Sequence, residues 1–269
     1  MPFVSVDGCK IWYDSAGESG PPALFVMGFA GRGTAWGPQI EGLRRGHRLA
    51  WMDNRGIGRS DRKVGVLSMR QMAADAVAVL DALGWAQAHV VGVSMGGMIA
   101  QEIALGHRER VRSLTLMATH AGGPTAFLPP MAGLGHFLST WQISPKRRVQ
   151  AMMKLLYPAD YLERADREDI AARLGREFAD DVSPATLLSQ TAAVATHNTR
   201  ARLHLLEGLP TLLVRPGRDI LIDPRHIDEL HQRIPGARLL HLPEAGHGFT
   251  YQCRDAVNQA LIELFAGAG

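Results

Sequence analysis

Hydrophobic positions along the chain follow two patterns, short apolar runs typical of strands and stripes typical of helices. Near the start, FVSV and KIWYD flank the turn sequence DGC and predict a β-hairpin. The run ALFVM is apolar throughout, which predicts a strand buried on both faces, and HRLAWMD predicts another strand. Between Ser68 and Leu83 the apolar residues recur at helical spacing, and Ser68 and Gly84 suit the two ends of that helix.

The rest of the chain alternates strands and helices, with one long interruption. Residues 89–104 read as a strand that turns into a helix. The later predictions are a sixth strand at 111–119, a strand in TLLVRPG, a helix at 224–233, a last strand in ARLLHLP and a final helix at 251–265. Residues 120–207 carry helical patterns and no convincing strand. Such alternation indicates a parallel sheet covered on both faces. We therefore expect a core domain formed by residues 1–119 and 208–269, with residues 120–207 inserted as a helical cap.

Composition and charge exclude several classes of protein. The chain has 269 residues, of which 46% are hydrophobic and 20% charged, and its net charge is only +3. A charge this small argues against nucleic acid as a partner, and the longest apolar stretch near the N-terminus is too short to span a membrane. Two cysteines, Cys9 and Cys253, suit free thiols in a reducing compartment. We expect a cytoplasmic protein without a membrane partner; monomer and homodimer remain open.

The sequence GVSMG, residues 92–96, places Ser94 where the predicted strand becomes a helix. G-x-S-x-G alone is a weak motif, but a reactive serine on a sharp strand-to-helix turn needs glycines two residues away on each side. The helix that follows supplies unpaired N–H groups, and the one on Met95 would face an oxyanion. Ser94 is thus a candidate nucleophile.

A serine nucleophile requires a base and an acid that orients the base. His247 lies in the loop after the last strand, and Asp219 lies in the loop after the preceding strand. Loops at the carboxyl ends of parallel strands gather at one edge of the sheet. The predicted triad is therefore Ser94, Asp219 and His247, with Asp223 kept as an alternative acid.

The sequence resembles the α/β-hydrolase superfamily, in the branch with a helical cap. The likeness is carried by VMGFAG, DNRGIGRSD, GVSMGGMIAQ, HRERVRSLTLMAT, PGRDILIDP and EAGHGF, which together span nearly the full length. It implies an α/β fold with a mostly parallel eight-stranded sheet and helices on both faces. It also implies a serine triad that needs no cofactor, and a second oxyanion N–H from Phe29. Many relatives carry histidine where this chain has Met27, which changes the lining but not a backbone donor.

The predicted substrate pocket combines residues beside the triad with residues of the cap. Its members are Met27, Gly28, Phe29, His120, Trp141 and Phe249. His120 has a plainer alternative role as a buried hydrogen-bonding residue. The loop DNRGIGRSD matches no phosphate-binding motif and reads as a turn locked by Asp53 and Arg55. No metal site is expected, because His226 and His231 lie five residues apart on a predicted surface helix.

These observations favour a serine hydrolase that cleaves carboxylic esters, or lactones, with an apolar acyl or alcohol part. An aspartate would replace Ser94 in epoxide hydrolases and haloalkane dehalogenases, so the resemblance disfavours both. Carbon–carbon bond hydrolases, cofactor-free haloperoxidases or perhydrolases and polyketide methyl esterases remain alternatives that use the same triad. A ligand-binding receptor on the same fold is the alternative of another class.

Overall fold

One eight-stranded sheet runs through the protein. The computed structural model describes residues 2–62, 65–123, 126, 128–140, 144–178 and 182–268. The strands are β1 (Phe3–Val6), β2 (Cys9–Ala16), β3 (Pro22–Val26), β4 (Arg48–Met52), β5 (Ala88–Val93), β6 (Val111–Met117), β7 (Thr211–Pro216) and β8 (Arg238–Leu242). They lie in the order β1-β2-β4-β3-β5-β6-β7-β8, and β2 pairs antiparallel with both of its neighbours while all other pairs are parallel. This arrangement confirms the predicted mostly parallel α/β sheet.

Hydrophobic residues of the sheet pack into two clusters, one on each face. In β3, Leu24 and Val26 belong to one cluster, while Ala23 and Phe25 belong to the other, as expected for side chains that alternate across a strand. The flanking helices are α1 (Gly37–Leu43), α2 (Met69–Ala82), α3 (Met95–Gly106), α9 (Arg225–Arg233), α10 (Phe249–Gln252) and α11 (Arg254–Gly267). Both faces are therefore covered, which is why all five residues of β3 are apolar and buried.

Both predicted ends of α2 are confirmed, whereas the last helix of the chain begins later than predicted. The Ser68 side chain accepts a hydrogen bond from Gln71 N–H, and Gly84 has the left-handed φ of 67° that suits a helix end. The final helix predicted at 251–265 is present as α11, but it begins at Arg254, because the chain leaves helical geometry at Cys253 between α10 and α11. Gln252 explains the break: its side chain bonds Gly246 N–H and Glu244 C=O, which fastens α10 to the loop after β8.

Within the described residues, five α-helices lie between β6 and β7. They are α4 (Met131–Ser139), α5 (Pro145–Leu156), α6 (Ala159–Arg164), α7 (Arg167–Glu177) and α8 (Pro184–Thr196). A small hydrophobic cluster of their own includes Met153, Leu162 and Leu174. The limits 120 and 207 of the predicted cap domain stay predictions, and residues 120–207 are called the cap segment below. Among the described residues, no helix combines the length and the apolar character needed to cross a membrane.

Candidate active site

Ser94 occupies a strained turn between β5 and α3. Its backbone has φ 56° and ψ −124°, a conformation that costs a non-glycine residue on the order of 1–3 kcal/mol. The turn is tight: a Cβ on Gly92 would lie 2.2 Å from the Gly96 carbonyl oxygen, and one on Gly96 would lie 2.1 Å from the Val26 oxygen. Only glycine fits at these two positions. The strand and the helix can therefore meet at Ser94, whose side chain is partly exposed.

His247 and Asp219 form a buried hydrogen-bonded pair. His247 Nδ1 lies 2.6 Å from Asp219 Oδ2, and both side chains are at most 8% exposed. The other carboxylate oxygen of Asp219 accepts hydrogen bonds from the N–H groups of Leu221 and Ile222, at 2.8 and 2.9 Å. These contacts hold Oδ1, so that Oδ2 faces the imidazole and bonds its Nδ1. Among the described residues, His247 Nε2 has no hydrogen-bond partner.

Asp223, the alternative acid, is engaged elsewhere. Its carboxylate forms hydrogen bonds of 2.5–3.1 Å with the side chain and the N–H of Arg225. The side-chain bonds to Arg225 are the largest of the effects that lower the pKa of Asp223. Asp219 is therefore the carboxylate in contact with His247.

Ser94 and His247 face the same end of the sheet without a hydrogen bond between them in the described part of the chain. Ser94 N–H donates to the Met117 carbonyl at the end of β6, and Phe249, two residues beyond His247, packs in one cluster with Val93. In ligand-free enzymes such catalytic hydrogen bonds are often long and tighten only when substrate binds. The pairing of the Ser94 hydroxyl with the imidazole therefore stays a prediction.

A second loop, residues 27–31, passes directly beside Ser94. A methyl group on Gly28 would lie 3.0 Å from Ser94 Cβ. The Asn54 amide holds the loop by donating to the Met27 carbonyl at 2.8 Å. Ala30 N–H donates to Oε1 of Gln190, a residue of the cap segment, at 3.0 Å. We call residues 27–31 the oxyanion loop below, because Phe29 lies in it.

The two predicted oxyanion donors are free. Within the residues that the structure describes, neither Phe29 N–H nor Met95 N–H donates to any backbone or side-chain acceptor. Met95 is the first residue of α3, where a helix leaves its N–H groups without intrahelical partners. Two N–H groups without a described acceptor therefore lie beside Ser94, one in the oxyanion loop and one at the start of α3.

The loop 53–61 supports this arrangement, but not in the manner predicted. Asp53 does lock the turn, because its carboxylate accepts the N–H groups of Gly33 and Arg59 at 2.8 and 2.9 Å. Arg55 does not contribute to the turn itself; it forms a buried ion pair with Asp75 of α2 at 2.6 Å. The amides of Asn54 and Gln190 were not singled out from the sequence. Only the helical register of Gln190, on the inward face of α8 with Thr186 and Ala193, offered a signal.

The other predicted pocket residues lie at different depths. His120 is fully buried, and its Nδ1 accepts a hydrogen bond from Gly122 N–H at 3.0 Å. Burial, and then the neighbouring His226 and His197, lower the pKa of His120 to about 3. Phe249 is also fully buried, within the hydrophobic core. The pocket roles of both stay predictions.

Met27 and Phe29 are half-buried beside the hydrophobic core, whereas Trp141 lies outside the described residues. Across the described residues, no group of three or more His, Cys, Asp or Glu side chains is arranged to hold a metal ion.

The cap segment contacts the loop that carries His247. Gly248 N–H donates to the Leu156 carbonyl at 2.8 Å, and the buried Tyr157 ring packs against Gly248. The Tyr157 hydroxyl accepts a hydrogen bond from Arg173, whose guanidinium also pairs with Glu177 at 2.8 Å. Burial raises the pKa of Glu177 to about 7 and that of Tyr157 to about 12. Arg173 thus holds the Tyr157 ring in place where it packs against the His247 loop.

This contact makes Gly248→Ala a test of how closely the cap segment supports His247. A Cβ at position 248 would lie 2.4 Å from the Tyr157 ring, so either the ring or the His247 loop must move. We expect the free energy of unfolding to fall by about 1–3 kcal/mol, together with a lower kcat/KM for any substrate. Urea unfolding and steady-state rates on the purified variant measure both.

Gly175→Ala, in α7, is the matched control for the Gly248 variant. Apart from the backbone of its own helix, nothing lies within 4 Å of an added Cβ at Gly175, so alanine should stabilise the helix by about 0.5–1 kcal/mol and leave the activity unchanged. A Gly248→Ala protein as stable and as active as the wild type would show that Tyr157 does not support the loop.

Comparison with known proteins agrees with this fold. The sequence model of the alpha/beta hydrolase fold family matches residues 21–251. The chain belongs to the α/β-hydrolase fold family. This confirms the resemblance seen in the sequence, and the family together with its relatives supports hydrolase activity.

Individual relatives of this α/β-hydrolase carry different names. The chain is 32% identical to the "Putative carbamate hydrolase RutD" of Azorhizobium caulinodans, with 97% of each chain covered. It is 31% identical to the "Putative non-heme bromoperoxidase BpoC" of Mycobacterium tuberculosis, over 94% of this chain and 97% of that one. Among solved structures, Est816, described as an N-acyl homoserine lactone degrading enzyme, is 30% identical with a TM-score of 0.82, covering 97% of this chain and 99% of its own.

Proposed function

We propose that this α/β-hydrolase is a serine hydrolase of small carboxylic esters, lactones included, and that it works through an acyl-enzyme. One observation carries the proposal: the buried 2.6 Å contact between His247 Nδ1 and Asp219 Oδ2, at the sheet edge where Ser94 stands on its strained turn. A buried carboxylate whose remaining oxygen is already bonded has one evident use, which is to orient the imidazole as a base.

Acylation begins at the Ser94 hydroxyl. Its Oγ attacks the ester carbonyl carbon while His247 Nε2 takes the hydroxyl proton. The imidazole becomes positively charged, and the Asp219 carboxylate stabilises that charge through Nδ1–H. His247 then gives the proton to the leaving alkoxide oxygen, so an alcohol departs and the acyl group remains on Ser94.

Negative charge develops on the carbonyl oxygen during the attack. The free N–H groups of Phe29 and Met95 are the proposed donors to it. Such donors are worth roughly 3 kcal/mol each, because they are fixed in place before charge appears. Asn54 donates to the Met27 carbonyl of the oxyanion loop, and Gln190 accepts the Ala30 N–H of the same loop. Both are therefore proposed as positioning residues.

Water completes the cycle. His247 Nε2 takes a proton from water, the resulting hydroxide attacks the acyl carbon, and the same two N–H groups hold the second oxyanion. The proton then passes to Ser94 Oγ as the acid is released. No step requires a cofactor. A lactone would react in the same way as an ester, except that the leaving alcohol stays attached to the acyl group.

Two of the three named relatives support an acyl-transfer site of this kind, the carbamate hydrolase and the lactone-degrading enzyme. A carbamate, a lactone and an ester each present a carbonyl carbon with a heteroatom leaving group, which one triad can attack. Carbon–carbon hydrolase, haloperoxidase and ligand-receptor functions remain outcomes of the test below. The half-buried side chains of Met27 and Phe29 favour an apolar wall beside the scissile bond.

A series of p-nitrophenyl esters of increasing acyl length tests the proposal. We expect steady release of p-nitrophenolate, with kcat/KM highest at one acyl length and lower beyond it, because a substrate pocket of limited depth would exclude longer acyl chains. The measurement is the initial rate at 400 nm with the folded wild-type protein. No release from any ester of the series would overturn the esterase proposal and favour a carbon–carbon hydrolase or a receptor.

A further inference from the structure

Helix α7 of the cap segment carries a buried ion pair. Arg173 and Glu177 lie one turn apart, and the guanidinium Nη1 donates to the Glu177 carboxylate at 2.8 Å. Only 12% of the Arg173 side chain and 9% of the Glu177 side chain are exposed. The cost of taking two charges out of water can exceed their attraction, so such a pair is weak evidence for stability. A contribution to stability therefore does not by itself account for this pair.

Arg173 links α7 to the loop that carries His247. Its Nη2 donates to the Tyr157 hydroxyl, and the guanidinium carbon lies 3.9 Å from the centre of the Tyr251 ring, within the range of a cation–π contact. Tyr157 packs against Gly248, and Tyr251 N–H donates to the Gly248 carbonyl at 3.1 Å. Both tyrosines that contact the guanidinium are therefore also in contact with the residue directly after His247.

The C-terminal end of the same helix lies against the oxyanion loop. The Glu177 carbonyl accepts the N–H of Arg32, the residue directly after that loop, at 2.9 Å. A Cβ on Gly31 would lie 3.2 Å from the Phe178 ring, so this ring packs closely on the loop. Helix α7 thus contacts both the loop with the proposed base, His247, and the loop with a proposed oxyanion donor.

We propose that Arg173 is a positioning residue that sets the place of the His247 loop relative to the oxyanion loop. The inference rests on the proposed function, in which His247 Nε2 and the Phe29 N–H act at the same ester carbonyl. Glu177 accepts Nη1 of the guanidinium, which leaves Nη2 directed at Tyr157. Arg173 acts on the imidazole through Tyr157 and the loop, and not by touching the reacting atoms.

Replacing both charges by methionine tests the inference without leaving one buried charge alone. Apolar residues of similar size often replace a buried ion pair at no cost in stability, so Arg173→Met/Glu177→Met should melt no lower than the wild type. We expect kcat for p-nitrophenyl esters to fall roughly 10- to 100-fold, with KM changed less than about threefold, because small displacements of catalytic groups slow the chemical step. Melting curves and initial rates are measured at a pH well above the pKa of about 7 that burial gives Glu177, so that the wild-type pair is charged.

Tyr157→Phe tests the path of the effect. It removes the hydroxyl that accepts from Arg173 but keeps the ring against Gly248. We expect this variant to lower kcat by itself and to have no further effect in the double methionine variant, because one contact cannot be lost twice. Should the double variant fail to fold, a folded Tyr157→Phe protein with the kcat of the wild type would overturn the inference.

Arg167→Met/Glu168→Met is the matched control on the same helix. It removes two exposed side chains of opposite charge, and its kcat should stay within about twofold of the wild type. A wild-type kcat in Arg173→Met/Glu177→Met as well would overturn the inference, and so would an equal loss of kcat in the control. The ion pair would then only support the cap segment.

A proton NMR signal separates this inference from the esterase proposal. The proton between His247 Nδ1 and Asp219 Oδ2 should give a low-field resonance without any substrate, and Asp219→Asn identifies it by its loss. This resonance should move or broaden in the double methionine variant but not in the control. That change without hydrolysis by the wild type would support the positioning role and refute the esterase. Hydrolysis with an unchanged resonance and kcat in the double variant would do the reverse, and neither hydrolysis nor a changed resonance would overturn both.

Discussion

Replacing Ser94 by alanine should lower kcat for every ester by roughly 10⁵–10⁶-fold, the magnitude typical of losing a triad nucleophile. Without Oγ no acyl-enzyme forms, and the free N–H groups of Phe29 and Met95 can then assist only direct attack by water. The fold should persist, because Ser94 N–H keeps its hydrogen bond to the Met117 carbonyl. Rates with the best p-nitrophenyl ester and a circular dichroism melt give the two readouts.

A comparison of Ser94→Gly with Ser94→Ala tests the backbone strain separately from the activity. Both variants should be inactive, but glycine adopts φ 56° freely whereas alanine does not. Ser94→Gly should therefore be more stable to urea than Ser94→Ala by about 1 kcal/mol, after the entropic cost of glycine. An active Ser94→Ala enzyme would exclude Ser94 as the nucleophile, and equal stabilities would refute the strain.

Asp219→Asn should lower kcat by about 10⁴-fold, the size seen when a triad imidazole is held in the wrong tautomer. Asp219 Oδ1 accepts the N–H groups of Leu221 and Ile222, so the single oxygen of asparagine must take that place. Its NH₂ group then faces His247 Nδ1 and forces that nitrogen to accept. The ring proton moves to Nε2, where it blocks the base.

Asp223→Asn is the matched control, since it alters the alternative acid four residues away. The Asp223 carboxylate contacts Arg225 rather than the imidazole, so kcat should change by less than about threefold. The same ester and the same pH serve both variants. A large loss in Asp223→Asn with little loss in Asp219→Asn would reverse the assignment of the acid.

Much of the fold could be predicted because its signals are local. A continuous apolar run marks β3, and Ser68 and Gly84 mark the ends of α2. Gly92 follows from the same local logic, since a Cβ there would meet the Gly96 carbonyl oxygen, whereas Gly96 is required by Val26 of the neighbouring strand. The contact between Asp219 and His247 was predictable because carboxyl ends of parallel strands share one edge.

The remaining features depend on contacts between distant parts of the chain. Gln190 lies 160 positions from Ala30 in the sequence, and no local pattern marks one amide on a helix as the partner of one loop. The break at Cys253 likewise depends on Gln252 reaching back to Gly246. Arg55 was assigned to a turn because it lies within one, whereas its partner Asp75 lies on a separate helix.

The most direct test of the account is the identity of the acylated residue. Wild-type protein is quenched in acid during turnover of a p-nitrophenyl ester, or treated with a fluorophosphonate, and its intact mass and peptides are measured. The account predicts one adduct per chain, on the peptide that contains Ser94, and none in Ser94→Ala. Turnover without an adduct on Ser94, or equal labelling of the Ser94→Ala protein, would contradict it.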